Sequence, residues 1–227
     1  MNNEHSPVSL LDSYQAERLP VVAKMLELTG SIMGRSAGAK ADKLEDADTQ
    51  RGSAFRRGRE TTQLGVNYRW SPVVLDERQH APATEPDPYG LDGSPLQAGD
   101  RAPSASGLVN PSKGELILFD LFGPSWHTIL VFAGTGKSNL TPSLITDPKV
   151  KALTELDLLR IHVIVSNSTT AYDEGVSVVI DQEGHAHRGY EVESGETIIM
   201  VVRPDGILGA VVYGVDGLRK YLEMIFI

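Results

Sequence analysis

An α/β fold is what this sequence predicts, and three features carry the prediction. From Glu115 onward, short runs of β-branched and apolar residues alternate with stretches of helical period. Asp147-Pro148, an N-cap followed by a first-turn proline, sits between two of those runs. Arg203-Pro204-Asp205-Gly206 separates two more as a tight turn, which reads as a hairpin.

Taken in order, residues 7–34 read as helix, because Val22, Met25 or Leu26, Thr29 and Met33 recur at three- and four-residue steps and give one apolar face. Pro20 removes a backbone donor and is expected to kink or divide that helix. From Ser36 to Gln63 the chain is rich in Gly, Ala and charge without a period, and reads as flexible. From Asp76 to Lys113 it carries Pro82, Pro86, Pro88, Pro95, Pro103 and Pro111, which favour extended loop. The expected organisation is an N-terminal helical segment (1–35), a long irregular linker (36–113) with a short strand near 64–75, and a compact domain (114–227).

Within the compact part, Leu116–Leu121 and Thr128–Phe132 read as strands on either side of the Gly123-Pro124 turn. Asp147-Pro148 opens a helix of about ten residues through Leu156. Ile161–Val165 suits a buried strand and Val176–Ile180 a further short one. A His- and Tyr-bearing segment after Gly184 is a candidate helical turn. Thr197–Val202 and Ile207–Tyr213 flank the hairpin turn, with Ile199 and Val201 on one face and Ile198, Met200 and Val202 on the other. Leu218, Tyr221, Leu222 and Ile225 end the chain as an amphipathic helix. Strand–helix–strand followed by strand–strand–helix is the thioredoxin-like arrangement. Its redox use needs C-x-x-C, and the sequence has no cysteine.

Composition narrows the function. With 227 residues and 41% apolar content the chain can bury an ordinary core. A net charge of −9 argues against nucleic acid, whose phosphates need clustered Lys and Arg. The one basic cluster, Phe55-Arg56-Arg57-Gly58-Arg59, lies in a polar stretch and reads as solvated linker. The lack of cysteine removes disulfides, thiol chemistry and Cys-based metal sites together. No signal pattern and no apolar run near 18 residues is seen, so no membrane contact is expected and a cytoplasmic protein is the default.

Several motifs taken together resemble a known family. Leu10-Leu11-Asp12-Ser13-Tyr14-Gln15-Ala16-Glu17-Arg18-Leu19-Pro20-Val21, Tyr68-Arg69-Trp70-Ser71-Pro72, Ala98-Gly99-Asp100-Arg101-Ala102-Pro103, Leu118-Phe119-Asp120-Leu121 and Arg203-Pro204-Asp205-Gly206-Ile207-Leu208-Gly209 stand in order along the chain. They resemble the C-terminal, thioredoxin-like part of FAD-dependent aromatic monooxygenases of the phenol-hydroxylase type, over most of residues 9–34 and 64–227. In that family the first segment follows the flavin-binding part; here it follows Met1 by nine residues. The resemblance thus implies the back end of a monooxygenase without its flavin domain. The G-x-G-x-x-G turn of a dinucleotide fold is also missing from the sequence, so no cofactor is expected. In full-length relatives the first helix packs against both parts. Here that leaves a face to be covered by the chain's own loops, another copy or a different protein.

Candidate chemistry is sparse. Gly134-Thr135-Gly136-Lys137-Ser138 is similar to the end of a P-loop, but the first glycine of that motif is replaced by Val131, so a glycine-rich loop is the plainer reading. His185 and His187, spaced to share one face of a strand, could form a metal pair with Asp181 or Glu183; a surface loop is the plainer reading, and no metal is expected. His162 reads as a core or interface histidine. If the chain is an enzyme, its pocket is expected between the N-terminal helix and the thioredoxin-like domain. His127 is the first-choice proton donor there, with Tyr14 and Arg18 as further catalytic candidates. Trp70, Trp126 and Tyr68 would bind substrate, the indoles steadying positive charge by roughly 1–2 kcal/mol each. The plainer alternative is that Trp126 and His127 seal the start of a core strand.

Three readings of function follow. The first is a flavin-free isomerase or cyclase acting on an epoxide or phenolic intermediate of secondary metabolism, its substrate a small aromatic or polyketide-like molecule. The second is a non-catalytic accessory or dimerisation module, as a homodimer or with a flavoprotein partner. The third is a truncated gene product without activity of its own.

Overall fold

A computed structural model of the chain describes residues 6–7, 10–38, 65–78, 85–90, 94–134, 140–166 and 176–227. Its elements are α1 (Leu10–Gly38), β1 (Leu75–Asp76), β2 (Leu108–Asn110), β3 (Gly114–Leu116), β4 (His127–Phe132), α2 (Leu140–Thr146), α3 (Pro148–Glu155), β5 (Leu159–Val165), β6 (Ser177–Asp181), α4 (His185–Gly189), β7 (Ile198–Val202), β8 (Leu208–Val212) and α5 (Val215–Ile225). Among the described residues no helix is long and apolar enough to cross a membrane.

The strands form one mixed sheet in the order β1-β8-β7-β4-β5-β6-β2-β3. At its centre β4 and β5 are parallel, while β7 runs antiparallel to both β4 and β8. With α2 and α3 crossing from β4 to β5 and α5 following β8, this is the thioredoxin-like connectivity. The expected alternation along β7 holds: Ile199 and Val201 pack with Leu218, Tyr221 and Leu222 of α5, and Ile198, Met200 and Val202 pack with Ala186 and Tyr190 beneath α4. α3 begins as the sequence predicts, with Asp147 accepting hydrogen bonds from the Lys149 and Val150 amides at 3.0 and 3.1 Å. Its carboxylate also takes the Arg219 guanidinium at 2.7 Å, tying α3 to α5.

β7 and β8 pair with one irregularity. Val201 faces Ala210 and Val202 faces Leu208, so Gly209 is the extra residue of a bulge. A Cβ at Gly209 would collide with the Tyr221 hydroxyl, so glycine there is what lets α5 lie this close to the sheet. The preceding turn places Gly206 at φ 80°, in the left-handed region that glycine adopts without strain.

Five expectations change. Leu118–Leu121 is a 3₁₀ turn, not strand, because the Asp120 carboxylate takes the Ile117 amide at 2.9 Å and closes the chain locally. The stretch read as irregular linker contributes β1 and β2 to the sheet, and the strand expected near 64–75 is reduced to Leu75–Asp76. α1 runs through Pro20 without dividing. The apolar face of α1 exists, but Val22, Leu26 and Met33 are exposed, and the residues turned inward are Ser13, Glu17 and Val21. His185 and His187 stand on a short helix, whose His187 amide is capped by Asp181 at 2.9 Å. Residues 39–63 of the stretch read as flexible, and residues 135–138 of the glycine-rich loop, lie outside the described residues.

Candidate functional site

The motif segments converge on one corner of the sheet. The Tyr68 amide donates to Gly99 O at 2.7 Å, Gly99 N to Leu208 O at 2.7 Å, Leu208 N to Asp100 O at 2.8 Å and Ala102 N to Gly206 O at 2.9 Å. Arg69 clamps Asp100 with two 2.7 Å contacts, and Asp100 also accepts from the Gln97 amide. The resulting platform carries α1. Glu17 receives Arg203 Nη1 at 2.6 Å and Nη2 at 3.0 Å, and its Oε1 also accepts the Ser71 hydroxyl at 2.6 Å. Trp70 Nε1 donates to Ala16 O at 3.0 Å, and Asp205 takes the other side of Arg203 at 2.7 Å.

Glu17 is nearly sealed from solvent, so its charge must be met by these partners. Burial works against the Arg203 charge, yet hydrogen bonding to Glu17 and the charges of Asp205 and Glu17 outweigh it and hold the guanidinium above its ordinary pKa. The arrangement is a bidentate charge pair with a hydroxyl donor.

Of the six candidates, Tyr14, Arg18, Tyr68 and Trp70 meet at this corner. Tyr14 is exposed, and the Arg18 guanidinium lies 5.7 Å from its ring centroid and 5.9 Å from that of Tyr68. Tyr68 is buried and meets Trp70 edge-on at 6.0 Å. Burial chiefly raises the Tyr68 phenol, with Arg18 partly offsetting it.

His127 and Trp126 make their ring contacts with other residues. The His127 ring packs edge-on against Phe226 at 5.3 Å and Tyr221 at 6.2 Å. It is 8% exposed, and burial, then the Arg203 charge, lowers its pKa to about 4, which leaves it neutral near pH 7. Trp126 lies under the Arg160 guanidinium, 3.4 Å from its ring centroid, and Asp157 holds Arg160 at 3.1 Å. Two clefts open on the surface: one of about 420 Å³ bordered by Arg69, Arg101, Phe119 and Glu191, another of about 630 Å³ bordered by Glu77, Tyr213 and Asp216. None of the six candidates lines either cleft.

The histidine pair separates. His187 Nδ1 lies 2.7 Å from Asp181, while His185 Nδ1 lies 3.2 Å from Glu183 and from Ser106 O. Among the described residues no group of three His, Asp or Glu side chains is placed to hold a metal. Glu17, Ser71, Arg203 and Asp100 hold this corner without standing among the site candidates; the one local signal for Glu17 is that Ser13, Glu17 and Val21 recur at helical spacing.

Carboxylates stand at the N-termini of two of the described helices, where a pyrophosphate would need free amides: Asp147 accepts at α3 and Asp181 at α4. A second negative group would be repelled.

No family model matches the sequence, and no curated protein matches it. Among solved structures, the flavin-dependent monooxygenase PieE, determined with FAD and substrate, is similar over 96% of this chain and 41% of its own, at 18% identity and a TM-score of 0.59. The likeness is one of fold. A thioredoxin domain of a thiol-disulfide oxidoreductase from Bacteroides vulgatus covers 56% of this chain and 96% of its own at 20% identity and a TM-score of 0.44. A conserved protein of unknown function from Bacteroides fragilis covers 56% of this chain and 99% of its own at 16% identity and a TM-score of 0.47. This chain spans 41% of the length of PieE, in a mixed α/β, thioredoxin-like fold with an N-terminal helix.

Proposed function

We propose that this chain is a non-catalytic, flavin-free module that works beside a flavin-binding unit of a PieE-like monooxygenase. The observation that supports the reading is the match of 96% of this chain to part of a flavin enzyme, in a chain whose α3 and α4 N-termini carry the carboxylates of Asp147 and Asp181. The absence of cysteine takes thiol redox chemistry out of the fold's repertoire. Fold alone does not assign activity; the charges of the motif corner are spent on each other, Glu17 on Arg203 and Asp100 on Arg69, which suits a structural joint.

An isomerase or cyclase would need an acid facing an enclosed cavity. His127 is buried, its ring packed edge-on against Tyr221 and Phe226. The test is to incubate the purified chain with ring-epoxide and phenolic compounds, alone and with an FAD-loaded monooxygenase unit from the same source. Product formed only with the flavin unit supports the module. Product formed by the chain alone, lost in His127→Gln with folding intact, supports the enzyme.

A further inference from the structure

The cleft of about 420 Å³ beside the motif corner has a fixed floor and a partly unspent rim. Ala102 is buried and donates its amide to Gly206 O at 2.9 Å, and Pro103 O accepts the Tyr190 hydroxyl at 3.0 Å. Arg69 and Asp100 neutralise one another at 2.7 Å. Arg101 and Ser104 flank the anchored Ala102-Pro103 pair and are exposed. Among the described residues neither side chain has a hydrogen bond or an ion pair.

Glu191 borders the same cleft in an unusual backbone setting. It stands at φ 53°, its own amide donating to Arg188 O at 3.2 Å while the Val192 amide reaches His187 O at 2.9 Å. This pattern ends α4 on a left-handed residue, a position that glycine fills without strain. A glutamate there is disfavoured by the backbone, so its carboxylate is what the position uses. Oε2 accepts the Leu96 amide at 3.1 Å, and Oε1 has no partner among the described residues. Phe119 completes the lining, 46% exposed, with its ring resting on Phe122 at 5.5 Å between centroids.

Charge selects the ligand. With Arg69 and Asp100 cancelled, one guanidinium and one carboxylate remain, Arg101 and Glu191, which line one cleft without pairing with each other. A simple anion would be repelled by Glu191 and a simple cation by Arg101. A zwitterion satisfies both, and an aromatic ring on it would cover Phe119. The volume lies toward the lower end of small-molecule sites. We propose that this cleft binds a free aromatic α-amino acid, with its carboxylate on Arg101 and the Ser104 hydroxyl, its ammonium on Glu191 and its ring against Phe119. The proposal does not depend on the companion role above.

The test is a titration of the isotope-labelled full chain with L-phenylalanine, followed by amide NMR shifts. The Ala102, Ser104, Phe119 and Gly189 amides should move together with a Kd on the order of 1 mM, the strength that about twelve non-hydrogen atoms supply. Phenethylamine lacks the carboxylate and 3-phenylpropanoate the ammonium, and each should bind about tenfold more weakly. Arg101→Gln should weaken L-phenylalanine by a similar factor and leave phenethylamine unchanged. Glu191→Gln keeps an oxygen for the Leu96 amide; it should weaken L-phenylalanine and leave 3-phenylpropanoate unchanged. Absence of shifts at these amides up to about 20 mM L-phenylalanine overturns the proposal. So does binding that Arg101→Gln or Glu191→Gln leaves intact. N-acetyl-L-phenylalanine binding as tightly as the free amino acid also overturns it, and marks a site for the C-terminus of a peptide instead.

Discussion

Glu17 and Arg203 stand 186 positions apart in sequence, and their charged groups meet at 2.6 Å. This contact fixes which side of α1 faces the domain. Replacing Glu17 by Ala leaves the guanidinium buried with Asp205 as its remaining partner, and is expected to cost about 3 kcal/mol, the lower end of the range for a broken buried pair. Limited proteolysis should then cut within α1 while the sheet amides stay protected from exchange. Glu17→Met with Arg203→Met should recover much of the loss, since neither charge is left unpaired.

Acid should destabilise the fold through two buried histidines. His127 and His162 each have a folded pKa of about 4, against an ordinary value of 6.5, burial being the first cause in both. The unfolded chain therefore binds more protons between pH 6.5 and pH 4, so stability falls as pH drops through that window. The limit is on the order of 3 kcal/mol for each histidine. Chemical denaturation at pH 7 and pH 4.5 measures it. His127→Phe, which keeps a ring against Phe226 and Tyr221, should flatten the profile and leave the fold intact.

Gly209 and Tyr221 make opposite predictions. Gly209→Ala drives a methyl into the Tyr221 hydroxyl and should cost about 1–3 kcal/mol by overpacking. Tyr221→Phe removes a buried hydroxyl that has no hydrogen-bond partner among the described residues, and should be neutral or slightly stabilising. Combined with Gly209→Ala it should restore part of the lost stability, a coupling that thermal melts of the four proteins resolve.

How far the fold could be read from sequence depended on the range of the interactions involved. The α3 cap was legible because Asp147 and the amides it binds are two and three residues apart. The β7–β8 hairpin was legible because alternation along Ile198–Val202 is itself the packing pattern. Leu118–Leu121 misled because its apolar content suits a strand, while the Asp120 contact to Ile117 closes a turn. The apolar stripe of α1 was visible, yet its direction was not, because Arg203 and Ser71 draw Glu17 inward from far along the chain. By sequence, His127 and Trp126 are expected to border one pocket with Trp70. Their actual partners, Phe226 and Arg160, come from α5's end and β5.

The central claim is that this chain holds no flavin itself and works beside a unit that does. An absorption spectrum from about 350 to 500 nm, where the cofactor would carry the chemistry, tests it most directly. The chain is purified alone, then recovered by affinity tag after co-expression with the FAD-binding monooxygenase units of its own source. The account predicts a colourless chain alone and a flavin band at one FAD per complex after co-expression. A yellow chain with one FAD per polypeptide when purified alone would contradict it.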